Sequence, residues 1–161
     1  MNYGYDILDP PDLRDLEGIR TAYEAALVSD HPRTQVGAVL GNHWGSNTKA
    51  DYRDKYPDNV EFSRVHAETT VILRAAMQGT TTRAHTMYAP WACCTNCAAN
   101  IIKSAIPRVV VHHQRMQLTP PKWQEEVYEG VQMLIRNNIR VEAVSKKFGV
   151  RLRVNGEEVE L

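Results

Sequence analysis

The chain has 161 residues, of which 43% are hydrophobic, so it is long enough for one domain around one hydrophobic core. Nineteen basic residues balance nineteen acidic ones, and this zero net charge argues against a protein that attracts polymeric nucleic acid over long range. The sequence lacks an apolar run of roughly 18 residues and the pattern of a secretion signal, so we expect a soluble cytoplasmic protein without a membrane partner.

Helical and strand patterns alternate along the whole chain. Helical segments show apolar residues three and four positions apart, and strands show short apolar runs between turn residues. Pro10-Pro11-Asp12 and Pro120-Pro121 are typical helix starts, and Asn155-Gly156 between two strand-like runs is typical of a hairpin turn. The predicted elements, in chain order, are a helix at 12–28, strands at 35–40 and up to about 45, a helix at 67–77, a strand at 86–89, a helix at 94–105, a strand at 108–112, a helix at 122–136, a strand at 140–144, and a hairpin at 150–154 and 159–161.

This succession of strands and helices predicts a layered α/β domain. We interpret residues 1–161 as a single domain, with the terminal hairpin at about 148–161 as an appendage. A polar stretch from Ser46 to Arg64 is longer than most loops, and loops of this length usually have a function or are mobile. This stretch is therefore a candidate border of a functional site.

All three cysteines of the chain fall within five positions, at Cys93, Cys94 and Cys97. Such a cluster is a poor disulfide framework, because disulfides in small domains connect distant segments. Clustered thiols in a reducing compartment indicate metal binding or redox chemistry, and small buried packing residues are the simpler alternative. The Cys94–Cys97 pair could also be a thioredoxin-like redox motif, but the sequence around the pair is not typical of that motif, so we do not favour this interpretation.

A histidine and a glutamate begin one predicted helix, and a cysteine pair begins the next. Cys94 and Cys97 share one helix face because they are three residues apart. If the starts of the two helices lie side by side, His66 completes a set of three zinc ligands and leaves the fourth position to water, as in catalytic zinc sites. Glu68 is then close enough to move protons. A closed site with Cys93 as the fourth ligand is the non-catalytic alternative.

These residues resemble the zinc-dependent cytidine/deoxycytidylate deaminase superfamily, whose signature is H-x-E followed by P-C-x-x-C. His66-Ala67-Glu68 matches the first part and Cys94-Thr95-Asn96-Cys97 the second. Thr86-Met87-Tyr88 is similar to the strand that precedes the cysteines in the family. Residues 30–38 resemble the Asp-Pro-x-Thr-x-Val-Gly-Ala segment of deoxycytidylate deaminases, and the whole resemblance spans about residues 13–145.

The resemblance implies a three-layer α/β/α cytidine deaminase-like fold with a central mixed sheet of about five strands. It implies Zn2+ as the cofactor, with His66, Cys94 and Cys97 as its ligands. Glu68 would be the catalytic proton shuttle, and the backbone N–H of Ala67 would bond the pyrimidine carbonyl. A zinc-bound hydroxide would attack the ring carbon that bears the amine, and ammonia would leave.

Two positions depart from the family pattern. The proline before the first metal cysteine is replaced by Cys93, which is either a substitute ligand or a packed residue. We favour packing, because Cys94 and Cys97 already have the expected spacing. The family segment Gly-Tyr-Asn-Gly is replaced by residues 45–48, where Asn47 matches the asparagine that bonds the sugar hydroxyl but also fits a plain turn residue.

Other candidate substrate contacts are weaker. Trp91, just before the cysteines, either walls the base pocket or is a partly buried aromatic at the edge of the domain. His112 and His113 follow a valine-rich strand, where the family often places aromatic or basic substrate contacts. The candidates for a phosphate contact, each equally explained as a solvated charge, are Arg33, Lys49 and Arg53. The histidines expected at the surface are His31, His43 and His85.

The resemblance therefore predicts a zinc-dependent hydrolytic deaminase of a small cytosine nucleotide, with dCMP as the expected substrate. A free nucleoside, a base or another aminated heterocycle is the alternative substrate. The alternative of another class is a non-catalytic structural zinc-binding module. The resemblance also implies a homo-oligomer.

Overall fold

The computed structural model describes residues 1–49 and 64–161. Most of the long polar stretch, including the candidate phosphate contact Arg53 and the side chain of Lys49, lies outside the described residues. In the described part of the chain, no helix is both long and apolar enough to cross a membrane.

Strands form a central mixed sheet and two separate ribbons. The sheet strands are β1 (Asp6–Leu8), β2 (Gly37–Leu40), β3 (His43–Ser46), β6 (Thr86–Tyr88), β7 (Arg108–His112) and β8 (Arg140–Val144), and the ribbon strands are β4 (Thr48–Lys49), β5 (Arg64–Val65), β9 (Arg151–Val154) and β10 (Glu157–Glu160). The sheet order is β1-β8-β7-β6-β2-β3. The first four strands in this order run parallel, whereas β2 is antiparallel to both of its neighbours.

Helices cover both faces of the sheet. They are α1 (Leu13–Leu27), α2 (Ala67–Met77), α3 (Thr95–Lys103), α4 (His113–Gln117) and α5 (Pro121–Arg136). Buried residues of α2, α3 and α5 form one core with the sheet. Buried residues of α1 form a second core with the other face of the sheet and with the β9–β10 hairpin. This arrangement confirms the predicted three-layer fold class.

Strand direction explains why several helices begin at one edge of the sheet. Because β2 is antiparallel to β6 and β3 is antiparallel to β2, β3 points in the same direction as the parallel strands. In chain order, α2 comes after β3, α3 after β6 and α5 after β7. Their N-termini therefore lie at the carboxyl edge of the sheet, where α/β proteins usually bind ligands.

Four short elements were not predicted from the sequence, and His43 was misplaced. Strands β4 and β5, two residues each, lie at the two ends of the stretch that was predicted as a polar loop. The sheet has six strands rather than about five because β1, only three residues long, was not predicted. Helix α4 was also missed, since its five residues are too few for a periodic pattern. His43 was expected at the surface but is buried, because β3 turns its ring inward and Nε2 contacts the Thr80 hydroxyl at 3.0 Å.

Candidate active site

Helix starts bring one histidine and two cysteines together. His66 is the N-cap of α2 and Cys94 the N-cap of α3, while Cys97 lies in the first turn of α3. The Nδ1 atom of His66 is 3.3 Å from the Cys94 Sγ and 3.4 Å from the Cys97 Sγ. The three ligand atoms all lie within 4.8 Å of one another, and this is the one candidate metal group among residues 1–49 and 64–161.

This donor set fits zinc. With Zn–S bonds of about 2.3 Å and Zn–N bonds of about 2.0–2.1 Å, tetrahedral zinc separates its nitrogen and sulfur ligands by about 3.6 Å. The observed separations of 3.3 and 3.4 Å need only a small adjustment to accept the ion. Thiolate and imidazole donors are also the ligands that zinc prefers in proteins.

Hydrogen bonds connect α2 and α3 beside the two sulfurs. The Thr69 hydroxyl lies 3.8 Å from the Cys97 sulfur and accepts a hydrogen bond from the Asn100 amide at 3.0 Å. The Cys94 sulfur caps its own helix by accepting from the Cys97 N–H at 3.4 Å. These contacts fix the two sulfurs before any metal binds.

Local charge favours a cation at this point. The hydrogen bond with Cys97, and then that with His66, lowers the pKa of Cys94 to about 4, whereas the hydrogen bond with Cys94 raises the pKa of Cys97. The hydrogen bond with Cys94 also raises the pKa of His66 to about 9. These hydrogen bonds favour the thiolate form of Cys94, and the positive ends of two helix dipoles favour it further.

Glu68 is a buried carboxyl beside this group. It lies in the first turn of α2, two residues after His66, and is 4% exposed. Burial raises the pKa of Glu68, while the charge of His66 lowers it. A buried carboxyl with a raised pKa takes up a proton more readily than a free one and can return it, as a general acid and base must.

A cleft of about 280 Å³ opens beside Glu68 and the candidate metal group. The site residues predicted from the sequence that line it are Arg33, Asn47, His66, Ala67, Glu68, Trp91 and Cys94. Cys97 lies below the surface of the cleft and is 1% exposed. Predicted site residues from four separate parts of the sequence thus share one cavity next to a buried carboxyl.

The chain was compared with models of known protein families. The family model described as "Cytidine and deoxycytidylate deaminase zinc-binding region" matches residues 14–113, which include all three candidate metal ligands and Glu68. The chain belongs to this deaminase family. The family and the His/Cys/Cys group together support Zn2+ as its cofactor.

Solved structures share the deaminase fold at low sequence identity. The dCMP deaminase from cyanophage S-TIM5 is 16% identical, with a TM-score of 0.65 for its apo form and 0.62 for its complex with dCMP and dUMP, and each match covers 83% of this chain and 98% of that one. A diaminohydroxyphosphoribosylaminopyrimidine deaminase/5-amino-6-(5-phosphoribosylamino)uracil reductase from Thermotoga maritima is 22% identical, with a TM-score of 0.59, and the match covers 80% of this chain and 36% of that one. No protein with a curated description matches the chain in sequence.

In this deaminase, Cys93 belongs to the core rather than to the ligand group. It is 2% exposed, and burial raises the pKa of its thiol. Its carbonyl approaches α5 so closely that a Cβ added to Gly130 would lie 2.0 Å from the Cys93 oxygen. The described residues therefore offer three metal ligands, as the packing interpretation of Cys93 predicts.

Asn47 connects the end of β3 to the segment before β2. Its Oδ1 accepts hydrogen bonds from the Val36 N–H, at 2.9 Å, and from the Ser29 hydroxyl, while its Nδ2 donates to the Thr34 carbonyl at 2.8 Å. The side-chain oxygen is therefore saturated, but an amide nitrogen has two donors. The second amide N–H of Asn47 has no partner among residues 1–49 and 64–161 and is available to a ligand in the cleft.

Trp91 is fixed in the cleft wall from two sides. Its indole N–H donates to the Thr119 hydroxyl at 2.9 Å. The guanidinium carbon of Arg115 lies 4.4 Å from the centroid of the Trp91 ring, and Arg115 is 1% exposed. This cation–π contact and the hydrogen bond hold the ring in one orientation.

His112, the last residue of β7, and His113 do not line this cleft. Val109 and Val111 of β7 face the core of α2, α3 and α5, so the alternation of the strand turns His112 to the opposite face. There His112 bonds the Tyr23 hydroxyl. His113 begins α4, and its Nδ1 lies 3.1 Å from the Tyr5 hydroxyl. The prediction that these histidines contact the substrate lacks support in this arrangement.

Several residues that line the cleft were missed in the sequence. The start of α5 contributes Lys122, Trp123 and Glu126, and the β9–β10 turn contributes Asn155. The start of α5 was predictable in principle, because a helix that follows a parallel strand begins at the carboxyl edge. The hairpin turn carries no comparable signal, since a turn sequence does not show which surface it reaches.

Two cations that line the cleft, Arg33 and Arg64, are held by neighbouring groups. His31, expected at the surface, is half-buried, and its Nδ1 accepts hydrogen bonds from the N–H groups of Arg33 and Thr34, both at 3.0 Å. Arg64 forms an ion pair with Asp30, and its side chain is 9% exposed. The Nε of Arg64 is buried without a hydrogen-bond partner among the described residues.

Proposed function

We propose that this chain is a zinc-dependent hydrolytic deaminase that converts a cytosine nucleotide, dCMP, into the uracil nucleotide and ammonia. The observation that carries the proposal is the buried carboxyl of Glu68 beside a three-ligand metal group in a cleft large enough for a ligand. Family membership and the dCMP deaminase neighbours support the same reaction.

Different residues of the chain have different roles in the proposed deamination. His66, Cys94 and Cys97 would hold Zn2+, and the ion would supply the Lewis acidity that makes water a nucleophile at neutral pH. Glu68 takes a proton from the attacking water and delivers it to the amine, which leaves as ammonia. The N–H of Ala67, in the first turn of α2, has no partner within the helix and is available to the pyrimidine carbonyl.

The outer cleft suits the rest of a nucleotide. Trp91 and Trp123 provide aromatic surface for the base. One N–H of Asn47 is available to a sugar hydroxyl. The cations Arg33 and Lys122 are suitable partners for a phosphate. A nucleoside or a free base would leave these cations unused, so the charge favours the nucleotide.

Ammonia release from purified zinc-loaded protein tests the proposal with dCMP, dCTP, cytidine, cytosine and guanine as substrates. We expect Glu68→Gln to keep its zinc and its fold and to lower kcat for dCMP by about 10²–10⁴-fold, the usual contribution of a general acid–base group. Glu125→Gln, an exposed change on α5, is the matched control and should retain activity. Activity that survives in Glu68→Gln would contradict the role given to Glu68. Ammonia from none of the substrates would contradict the proposed reaction and favour a structural zinc module.

The proposal also includes a cytoplasmic location, a homo-oligomer and a single domain. The three cysteines are free thiols, in keeping with a reducing compartment such as the cytoplasm. The homo-oligomer and the single domain of residues 1–161 stay predictions.

A further inference from the structure

The C-terminal hairpin reaches the cleft through its turn. Asn155 and Gly156 adopt positive φ angles of 53° and 92°, as a two-residue hairpin turn requires. The Gly156 N–H donates to the Arg33 carbonyl at 2.7 Å, and the Asn155 N–H donates to the Thr34 hydroxyl at 3.1 Å. Asn155, Arg33 and Thr34 all line the cleft. The turn therefore fixes the backbone of the segment that carries Arg33.

A second pair of hydrogen bonds keeps the turn in place. The Gln35 N–H donates to the Arg153 carbonyl at 3.0 Å, and the Arg153 N–H donates to the Gln35 Oε1 at 2.9 Å. Leu152, Val154 and Leu161 are buried in the core beneath α1. The hairpin is thus attached by both hydrogen bonds and apolar packing, and a change confined to the turn leaves this attachment intact.

Side chains at the turn are placed to act on a ligand. Arg33 and Asn155 are exposed at the outer part of the cleft, whereas Glu68 is buried in its inner part. One guanidinium nitrogen of Arg33, Nη2, lies 3.5 Å from the Asn155 Oδ1. This long contact restrains the guanidinium weakly, so Arg33 can also donate to an anion, and the Asn155 amide can donate beside it.

We propose that the turn Asn155-Gly156 is a specificity-determining part of the cleft, which positions Arg33 for the phosphate of the substrate. The inference rests on the proposed function. Its consequence is a preference for a phosphate-bearing substrate over its nucleoside, set by the C-terminal end of the chain and not by the deaminase motifs. Asn155 acts as a positioning residue in this arrangement.

Asn155→Gly is the sharpest test, because glycine accepts the positive φ and removes only the amide. For the zinc-loaded protein we expect kcat/KM for dCMP to fall about tenfold through KM, with kcat and the values for deoxycytidine within about twofold of wild type. Asn155→Asp, which also tolerates this φ, adds a negative charge and should lower kcat/KM for dCMP at least as much. Glu157→Gln, an exposed hairpin change that does not line the cleft, is the control.

Each outcome separates this inference from the proposed function. Equal losses for dCMP and deoxycytidine in Asn155→Gly would show a purely structural turn and overturn the inference, as would no change for either. If wild type releases no ammonia from dCMP, the proposed function fails. In that case, quenching of tryptophan fluorescence by dCMP and by deoxycytidine tests the inference alone, since Trp91 and Trp123 line the cleft. Equal affinity of wild type for the two compounds would overturn it.

Discussion

His112 is a buried histidine whose protonation should make the free energy of unfolding depend on pH. Its ring is fully buried, with Nε2 3.0 Å from the Lys146 carbonyl and Nδ1 bonded to the Tyr23 hydroxyl. A carbonyl only accepts hydrogen bonds, so Nε2 carries the proton and Nδ1 accepts from Tyr23. Both nitrogens are satisfied in the neutral ring. Burial, with smaller contributions from the charges of His113 and Arg115, lowers the pKa of His112 to about 4.

The sign and size of the effect follow from this pKa. Because the pKa is 6.5 for an ordinary histidine and about 4 for His112 in the folded protein, the unfolded chain binds the proton more readily between these values. The stabilisation by neutral His112 is fully present above pH 6.5 and is lost as the pH falls toward 4. At 1.36 kcal/mol per pKa unit, the whole loss is about 3 kcal/mol, of which about 2 kcal/mol has occurred at pH 5.

Urea unfolding at pH 7 and pH 5 measures this loss. Wild type should lose about 2 kcal/mol more of its free energy of unfolding between the two pH values than His112→Gln, which cannot titrate. His113→Gln keeps His112 and removes only a minor cause of its low pKa, so this variant should lose nearly as much as wild type. The metal ligands lie on the other face of the sheet, so their protonation contributes equally to the loss of stability in each variant. This contribution cancels when the variants are compared.

Two results would refute this reasoning. Equal losses in wild type and His112→Gln would mean that the buried ring is not held neutral. A large fall of kcat for dCMP in a stably folded His112→Gln would instead support the prediction that His112 contacts the substrate. Activity close to wild type, with a flatter pH dependence of stability, is the expected result.

The metal group and its packing allow two further predictions. Cys97→Ala should lose most bound zinc and unfold at a lower temperature, as should wild type treated with a chelator, because metal-binding energy contributes to folding; full zinc occupancy in the variant would contradict the ligand set. Gly130→Ala places a Cβ 2.0 Å from the Cys93 carbonyl oxygen. Alanine gains about 1 kcal/mol in helix propensity over glycine, but the clash outweighs this gain. We therefore expect the variant to lose about 1–2 kcal/mol of stability and to bind less zinc. Glu129→Ala on the exposed side of α5 is its control, and an unchanged urea midpoint for Gly130→Ala would show that the helix and the Cys93 loop separate freely.

Local patterns predicted the elements that carry the candidate metal group. The bounds of α2, β7 and β8 match the sequence prediction, because each has a clear apolar period or a continuous apolar run. His66 and Cys94 were predicted at helix starts, and both are N-caps. A helix start is a local property, and the strand directions of a mixed sheet then bring two such starts to one edge.

The cleft walls depend on tertiary packing that the sequence does not display. Glu126 lines the cleft and accepts a hydrogen bond from the Thr95 hydroxyl at 3.3 Å, but its position in an amphipathic helix gives no sign of this contact. Asn155 reads as an ordinary turn residue, and only the docking of the hairpin on the Arg33 segment makes it part of the site. Such contacts join segments that are far apart in the chain.

The histidine at the end of β7 shows why an edge is easier to predict than a face. His112 does end a parallel strand, so its place at the carboxyl edge follows from strand direction. Its face follows from alternation, and alternation is hidden because Val109, Val110 and Val111 are apolar on both sides of a fully covered sheet. A polar residue at the end of such a strand can therefore take either face. Here the face with α1 supplies Tyr23 as a hydrogen-bond donor, and that partner makes His112 part of the core and not of the cleft.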